Sequence, residues 1–211
     1  MDLQAVIFDY GEVISGPPDM RAHRNLLTIA GVEEELFEKA YWVHRLDYDA
    51  DILNSQTYWQ TVAHDTGVRF TAKQIGQLIE QDAIMWMNLN PAMLAWIPKL
   101  KQAGFRLGIL SNMPAGVLGY MRPRFPWLAQ FDQLTWSCDL GVVKPDPAIY
   151  LHTVKKLAVS PDRALFIDNL EKNIAGAEAV GLHAALFENL EQLRNDLGRR
   201  GFRLPSPEPA S

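Results

Sequence analysis

Residues 5–14 of the chain read AVIFDYGEVI, in which a short apolar run ends in the carboxylate of Asp9 and Gly11 follows two residues later. Such a run predicts a buried parallel strand whose carboxyl end carries Asp9 into a turn. Ligands of open α/β sheets bind at the carboxyl ends of the strands, and an aspartate there can act as a nucleophile or hold a cation. On this stretch alone, a helix N-cap or turn aspartate is an equal alternative, so the motifs downstream decide the interpretation.

The composition points away from nucleic-acid-binding, membrane and disulfide-bonded proteins. Hydrophobic residues make up 48% of the 211 residues, which is enough for a sizeable core. The formal net charge is −5 without a long basic run, so nucleic acid and anionic membranes are not favoured as partners. The N-terminal apolar run follows no charged segment and is too short for a signal peptide or a membrane span. The single cysteine, Cys138, excludes an internal disulfide, and together these features predict a cytoplasmic protein in a reducing compartment.

Short apolar runs alternate with helical patterns along much of the chain. Strands are predicted at residues 3–8, 105–110, 133–136, 164–167 and 184–187. Strands that alternate with helices form a parallel sheet with right-handed crossovers. The sequence therefore predicts an α/β fold with a doubly wound, five-stranded, Rossmann-like parallel sheet.

The segment between about residues 19 and 90 has a different pattern, because its apolar residues recur at helical spacing without an alternating strand pattern. One predicted helix runs from Glu33 to about Tyr48. N-cap residues and terminal glycines stand where other helices should begin and end: Asp19, Ser55, Thr71, Gly31 and Gly67. This region is therefore predicted to be a small helical bundle.

These patterns give the predicted domain organisation. An all-helical cap at residues 16–90 is inserted into an α/β catalytic core formed by residues 1–15 and 91–200. The proline-rich residues 201–211 are predicted to be a disordered tail.

Polar residues stand where the predicted strands end. Asp9 follows the first strand, Ser111 the second and Asp168 the fourth, and Lys144 lies in the loop after the third. Because a parallel sheet brings these ends to one edge, a carboxylate nucleophile, a second carboxylate, a hydroxyl and an ammonium should converge there. Such a set suits phosphoryl transfer, in which catalysis consists mainly of positioning and charge neutralisation.

The order and spacing of these motifs resembles the haloacid dehalogenase superfamily. The matching stretches are AVIFDYGEVI, LGILSNM, SCDLGVVKPDPAIY and ALFIDNLEKNIAGAEAVGL. The resemblance is strongest to the capped sugar-phosphate phosphatase-like branch, which includes the N-terminal phosphatase-like domains of epoxide hydrolases, and it extends to about Arg200. The predicted helical insertion falls where that branch carries its cap.

The resemblance implies a phosphoric monoester hydrolase. Asp9 would attack the substrate phosphorus and form an aspartyl-phosphate. Ser111 would donate to a phosphate oxygen with help from the backbone of Asn112, which is thereby implied as a substrate-binding residue. Lys144 would pair with Asp9 and the phosphate.

The resemblance also implies Mg²⁺ as cofactor. Its ligands would be Asp9, the carbonyl oxygen of Gly11 and the pair Asp168-Asn169, and octahedral oxygen coordination with retained waters fits Mg²⁺. His23, His44, His64, His152 and His183 show no metal-ligand spacing.

The sequence departs from the family pattern at two positions. Family phosphatases usually carry an aspartate at the position of Gly11, which acts as general acid and base, so turnover should slow or the role should move; Glu12 is a candidate substitute. The second departure is Asn169, where a second carboxylate usually stands, and we expect weaker Mg²⁺ binding than in a two-aspartate relative. Asn173 could orient Lys144 or a metal-bound water, or it could cap the helix predicted to begin there.

Substrate recognition is expected from the cap. Arg45 and Tyr48, with Asp49 beside them, lie at the end of a predicted cap helix, where the family places substrate-recognition groups; a solvated helix terminus is the alternative. Four tryptophans could either line a sugar-binding face or, more simply, pack in the core: Trp42, Trp59, Trp86 and Trp96.

The leading functional hypothesis is a Mg²⁺-dependent phosphatase of a small phosphorylated metabolite, with a sugar phosphate as one candidate. A 2-haloacid dehalogenase-like hydrolase is an alternative, because related dehalogenases lack the second aspartate and need no metal. A catalytically weakened phosphate-binding protein is the third reading, since two carboxylates of the family pattern are missing. The sequence specifies neither the substrate nor the oligomeric state.

Overall fold

The computed structural model of the protein describes residues 2–207. Its centre is one sheet of five parallel strands: β1 (Ala5–Phe8), β2 (Arg106–Ser111), β3 (Gln133–Trp136), β4 (Ala164–Asp168) and β5 (His183–Leu186). The strand order is β3-β2-β1-β4-β5. From the central β1 the chain winds outward to β3, then crosses to β4 and β5 on the other side. The predicted doubly wound α/β sheet is confirmed.

Helices cover both faces of the sheet and fill the segment between β1 and β2. Five lie in that segment: α1 (Met20–Ala30), α2 (Glu34–Val43), α3 (Arg45–Asp49), α4 (Ser55–Asp65) and α5 (Ala72–Met85). The others follow it: α6 (Pro91–Gln102), α7 (Ala115–Met121), α8 (Ser137–Leu140), α9 (Pro147–Lys156), α10 (Glu171–Ala179) and α11 (Leu190–Arg199). We call α1–α5 the helical insertion.

The first strand is apolar at every position because both of its faces are covered. Val6 and Phe8 belong to the core cluster on one side of the sheet, whereas Ala5 and Ile7 belong to the cluster on the other side. A strand that is buried on both faces reads as a continuous apolar run rather than as an alternation.

The helical insertion has its own apolar core, built around Phe37, Trp59 and Leu78. Asp19 caps α1 by accepting hydrogen bonds from the first-turn amides, and Thr71 forms a capping box at the start of α5. These two caps were predicted.

Two details of the insertion differ from the sequence prediction. The N-cap of α4 is Asn54, whose side chain accepts from the amide of Thr57, and not Ser55. The helix predicted from Glu33 to about Tyr48 is interrupted at His44, which separates α2 from α3. The short helix α3 packs against α8, which directly follows β3.

The C-terminal segment packs on the core as far as the structure describes it. Phe202 is buried among the core residues, and the indole nitrogen of Trp96 donates to the carbonyl of Pro205 at 2.7 Å. Of the predicted disordered tail, residues 208–211 lie outside the described part of the chain. None of the helices within residues 2–207 is both long enough and apolar enough to cross a membrane.

Candidate active site

The strand register places the polar residues of the first and fourth strands side by side. Phe8 is aligned with Ile167 of the neighbouring β4, so Asp9 and Asp168 leave the sheet at the same level. Lys144 lies between them: its Nζ is 2.8 Å from Asp9 Oδ1 and 2.6 Å from Asp168 Oδ2. The ammonium is almost completely buried, with 1% of its side chain exposed, and the three groups form a buried cluster with a net charge of −1.

Asp9 sits at the start of a tight turn formed by residues 10–14. Its Oδ1 accepts from the backbone amide of Tyr10 at 2.7 Å as well as from Lys144. Asp9 therefore has both the turn-capping role, which was one alternative from the sequence, and a contact with the buried Lys144. Because Oδ1 has two donors, Oδ2 is the oxygen of Asp9 that these two groups leave available.

Asp168 is held by donors on both oxygens. The amide of Leu170 donates to Oδ1 at 2.8 Å, and the side-chain nitrogen of Asn173 is 3.0 Å from each oxygen. The prediction that Asn173 could cap the following helix is wrong, since α10 begins earlier, at Glu171, after the cap residue Leu170. Asn173 instead fixes the carboxylate that pairs with Lys144.

The loop that carries Lys144 is fixed by a side chain from the end of β2. Asn112 donates from Nδ2 to the carbonyl of Lys144 at 3.2 Å, and the Lys144 amide donates to Asn112 Oδ1 at 2.8 Å. This reciprocal pair was missed by sequence reasoning, which used only the backbone of Asn112. The contact joins residues that are 32 positions apart, and no local sequence signal indicates it.

Burial and the neighbouring charges shift the pKa values of the cluster. Burial raises the pKa of Asp9 from 3.8 to about 6 and Asp168 adds to this, while Lys144 and a hydrogen bond from Ser111 oppose it. Burial alone would lower the pKa of Lys144, but Asp9 and Asp168 outweigh it and raise that pKa above its ordinary value. Lys144 is therefore charged at neutral pH, and Asp9 is a carboxylate whose ionisation costs free energy.

The cluster forms the floor of a cavity of about 450 Å³ between the sheet edge and the helical insertion. Asp9, Ser111 and Lys144 line it, whereas Asp168 is fully buried. The apolar part of the wall consists of Trp42, Leu46, Trp86, Met113 and Leu170. Its other polar lining residues are Glu12, Arg45, Asp49, Asn112, Asn169, Lys172 and Asn173.

The four tryptophans singled out in the sequence divide between the two predicted roles. Trp59 and Trp96 are buried in the insertion and sheet cores, respectively, as the packing alternative predicts. Trp42 and Trp86 line the cavity, so they supply part of the surface that a substrate would meet.

Arg45 lies at the cavity wall, but its guanidinium is already paired. Its Nε is 3.0 Å from Asp49 Oδ1, its Nη1 is 3.1 Å from Asp82, and it donates to the hydroxyl of Tyr41. Burial raises the pKa of Asp49, and Arg45 opposes that shift. The alternative prediction, a solvated helix terminus, is wrong because Arg45 and Asp49 are both buried.

Tyr48 does not reach the cavity. Its side chain is fully buried, its ring stacks on that of Tyr58 with centroids 4.1 Å apart, and its hydroxyl donates to Ser55 at 3.1 Å. The structure therefore gives Tyr48 a packing role in the insertion, and direct substrate contact by Arg45 stays a prediction.

Ser137 connects the helical insertion to the loop that follows Ser111. Its hydroxyl donates to the carbonyl of Asp49 at 2.5 Å and accepts from the amide of Met113 at 2.8 Å. Ser137 is fully buried. Sequence reasoning missed it because its partners come from distant parts of the chain.

The donors at the sheet edge fit a hard divalent cation. Asp9 and Asp168 are carboxylates, and Gly11 and Asn169 offer a carbonyl and an amide oxygen; such all-oxygen sets suit Mg²⁺ with retained waters. Asn173 Oδ1 is buried without a hydrogen-bond partner among the described residues, and a cation-bound water would provide the missing donor. Within residues 2–207 no group of three or more His, Cys, Asp or Glu side chains is arranged to hold a metal, so carbonyl and amide oxygens would have to complete the site.

The doubly wound sheet and the buried carboxylate–lysine cluster at its strand ends define an α/β protein with a charged site at the sheet edge. The family model of haloacid dehalogenase-like hydrolases matches residues 3–181, and the chain belongs to that family.

Curated relatives include proteins of different length and architecture. The chain is 26% identical over 192 residues to a phosphoglycolate phosphatase from Psychrobacter arcticus, with 85% of the chain and 81% of that protein covered. It is 24% identical over 246 residues to bifunctional epoxide hydrolase 2 from Sus scrofa, but it spans only 42% of that protein's length.

Solved structures show the same fold. An enzyme of the same family from Bacteroides thetaiotaomicron superposes with a TM-score of 0.75 at 18% identity, with 88% of this chain and 94% of that chain covered. A variant of that enzyme, in complex with magnesium and inorganic phosphate, superposes with a TM-score of 0.74 at 17% identity, covering 87% and 93% of the two chains. These identities support the fold and do not identify the substrate.

Proposed function

We propose that the protein is a phosphatase that hydrolyses a small phosphorylated metabolite through an aspartyl-phosphate on Asp9. The observation that carries the proposal is the buried cluster of Asp9, Lys144 and Asp168 at the floor of the cavity. Asp9 is the member whose carboxylate lines the cavity, while Asp168 is buried behind it and is held in place by donors on both of its oxygens. The relatives named phosphoglycolate phosphatase and glyceraldehyde 3-phosphate phosphatase support this reading.

The first chemical step would be attack by Asp9 on phosphorus. Oδ2 is the proposed nucleophile, since Lys144 and the Tyr10 amide bind Oδ1. The new O–P bond forms as the bond between phosphorus and the alcohol oxygen breaks, and the leaving alcohol oxygen takes its proton from solvent. The Lys144 ammonium and the Ser111 hydroxyl would offset the negative charge that Asp9 and the phosphoryl oxygens bring together.

In the second step, water would attack the phosphorus of the acyl phosphate. The bond between Asp9 and phosphorus breaks, inorganic phosphate leaves, and the Asp9 carboxylate is restored. Neither step has a general acid or base at position 11, because Gly11 has no side chain to supply or accept the proton.

We propose that Asp9, the Gly11 carbonyl, Asp168 and Asn169 hold Mg²⁺. When bound, the cation supplies positive charge that favours the approach of the phosphate to the Asp9 carboxylate. The chain's own contribution is to fix these oxygens, and the donors around Asp168 do so for that ligand.

The helical insertion is proposed to act as a cap that shapes the part of the cavity occupied by the alcohol. Trp42, Leu46 and Trp86 form an apolar wall there, and the guanidinium of Arg45 is occupied by Asp49 and Asp82. A sugar hydroxyl that met this wall rather than one of the polar lining residues would be buried without a partner, at a cost of about 1–3 kcal/mol. We therefore favour a phosphate ester with a less hydroxylated alcohol over the sugar phosphate considered from the sequence.

The test is a panel of phosphomonoesters assayed for phosphate release with Mg²⁺ and with EDTA. Alkyl phosphates with similar leaving alcohols but different polarity, such as 2-phenylethyl phosphate and glycerol 3-phosphate, test the wall. The Asp9→Asn variant is the control for the reaction. Phosphate release by the wild type that is abolished in Asp9→Asn supports the proposed phosphatase activity, whereas no phosphate release from any ester contradicts it. Equal rates with polar and apolar alcohols contradict only the proposal that the apolar wall selects a less hydroxylated alcohol.

Two other functions give different results in the same experiments. Release of chloride from 2-chloropropionate in EDTA would identify the protein as a dehalogenase, an alternative that Gly11 keeps open because it replaces the second aspartate. Tight binding of a phosphate analogue without turnover would favour a phosphate-binding protein.

A further inference from the structure

A hydrogen bond joins the turn after β1 to the end of β4 beside the proposed cation site. The side-chain nitrogen of Asn169 donates to Glu12 Oε2 at 3.0 Å, across 157 positions of sequence. Both residues line the cavity. Asn169 is the residue that replaces the usual second carboxylate, so its partner is a carboxylate supplied from elsewhere in the chain.

The backbone places Glu12 there at a conformational cost. Glu12 has φ +54° and ψ 10°, in the left-handed region that side chains other than glycine rarely adopt. Its amide donates to Ser15 Oγ at 2.9 Å, which holds the turn in this form. Strained residues of this kind concentrate at functional sites, and Glu12 follows directly after Gly11, whose carbonyl is a proposed ligand.

We infer that Glu12 is a positioning residue of the cation site, one that supplies through Asn169 the negative charge that the asparagine lacks. This inference rests on the Mg²⁺ site of the proposed function. A carboxylate only accepts hydrogen bonds, so the Asn169 amide must direct its nitrogen to Glu12. Its Oδ1 is then the atom left for the cation, and the charged acceptor increases the electron density on that oxygen.

The charge of the site supports this role. Asp9, Lys144 and Asp168 together carry −1, and Glu12 brings the sum for these four residues to −2, the value that an aspartate at position 169 would give together with the first three. Because Glu12 Oε2 accepts from the side chain of Asn169, we assign Glu12 an action through Asn169 and the local potential rather than a place among the direct ligands. Partners of this kind that orient a metal ligand typically change metal affinity by about 10–100-fold.

The test measures Mn²⁺ binding by electron paramagnetic resonance, with Mg²⁺ competition and without substrate. Glu12→Gln keeps the size of the side chain but removes its charge, and we expect about 10-fold weaker binding or more. The double variant Glu12→Gln/Asn169→Asp moves the carboxylate to the usual position and should restore the wild-type affinity. Glu171→Gln is the matched control, because it removes an exposed carboxylate near the same sheet edge and should leave the affinity unchanged.

The outcomes separate this inference from the proposed metal site. A Glu12→Gln variant that binds Mn²⁺ as tightly as wild type or as Glu171→Gln overturns the role of Glu12. A double variant no tighter than Glu12→Gln alone, with an unchanged circular dichroism spectrum, also overturns it. A wild-type protein that binds no Mn²⁺ overturns the metal site itself, and the inference with it.

Discussion

Replacement of Asp9 by asparagine is expected to stabilise the metal-free protein while it abolishes phosphatase activity. The Asp9 carboxylate is buried beside a second carboxylate, and the single buried ammonium of Lys144 serves both. In the Asp9→Asn variant, Lys144 and Asp168 remain as a balanced pair, and the amide oxygen can still accept from the Tyr10 amide. The variant removes the negative charge of Asp9, whose burial lowers the free energy of unfolding of the wild type.

The pKa of Asp9 gives the size of this effect. It is raised from 3.8 to about 6, and each pKa unit corresponds to about 1.4 kcal/mol, so the ionised group destabilises the folded state by about 3 kcal/mol. The folded protein keeps the proton on Asp9 up to about pH 6, whereas the unfolded chain loses it near 3.8. Relative to the variant, the wild type is therefore most stable below about pH 3.8. It loses this relative stability as the pH rises from there through about 6, the pKa of Asp9 in the folded protein.

The assay is urea-induced unfolding in EDTA across the range from about pH 4 to about pH 8. Above about pH 6 the variant should be more stable by up to about 3 kcal/mol, which corresponds to a melting temperature higher by roughly 6–12 °C for a chain of this size. The difference should shrink towards about pH 4. Asp2→Asn, at a side chain that is 88% exposed, is the control and should have no such effect. An Asp9→Asn variant that is equally or less stable at about pH 8 would show that the ionised Asp9 carboxylate does not destabilise the folded protein.

Three further predictions concern the insertion, its buried charges and the missing proton donor. A Cβ on Gly116 of α7 would lie 2.2 Å from Ser55 Oγ, so Gly116→Ala should displace the insertion and raise KM severalfold. Adding Ser55→Gly removes the clashing side chain and should restore the wild-type KM, whereas an unchanged KM in Gly116→Ala would contradict the predicted displacement. Arg45→Ala leaves the buried Asp82 without its cation, so the free energy of unfolding measured in urea should fall by about 3–5 kcal/mol. A decrease of less than about 1 kcal/mol would contradict the pairing. A Cβ on Gly11 would meet nothing within 4 Å, so an aspartate should fit there, and Gly11→Asp should speed alkyl phosphate hydrolysis by up to about 10²–10⁴-fold. In the wild type, which lacks this acid, kcat/KM should fall steeply as the pKa of the leaving alcohol rises. A kcat/KM that does not depend on that pKa would count against a missing general acid.

The sheet and the residues at its edge could be predicted because their signals are local. Buried strands read as apolar runs, and each run ends in a polar residue such as Asp9 or Asp168. Parallel winding then requires those ends to meet, and Lys144 follows β3 in the same way. The helix caps Asp19 and Thr71 are equally local, since each binds amides of its own first turn.

The remaining features depend on partners that are distant in sequence. The pairing of Arg45 with Asp82 spans 37 positions, and the contact of Asn169 with Glu12 spans 157; neither leaves a spacing pattern that could be recognised. The prediction of Ser55 as the N-cap of α4, where the structure has Asn54, was wrong because both residue types cap well and they are adjacent.

The proposed acyl phosphate on Asp9 can be detected directly. The protein is mixed with an aryl phosphate labelled with radioactive phosphorus and Mg²⁺, quenched in acid within a turnover, and digested. We expect label on the peptide that contains Asp9, release of this label by hydroxylamine, and no label on the Asp9→Asn variant. Phosphate release without any protein-bound label, or label on another residue, would show that Asp9 does not accept the phosphoryl group.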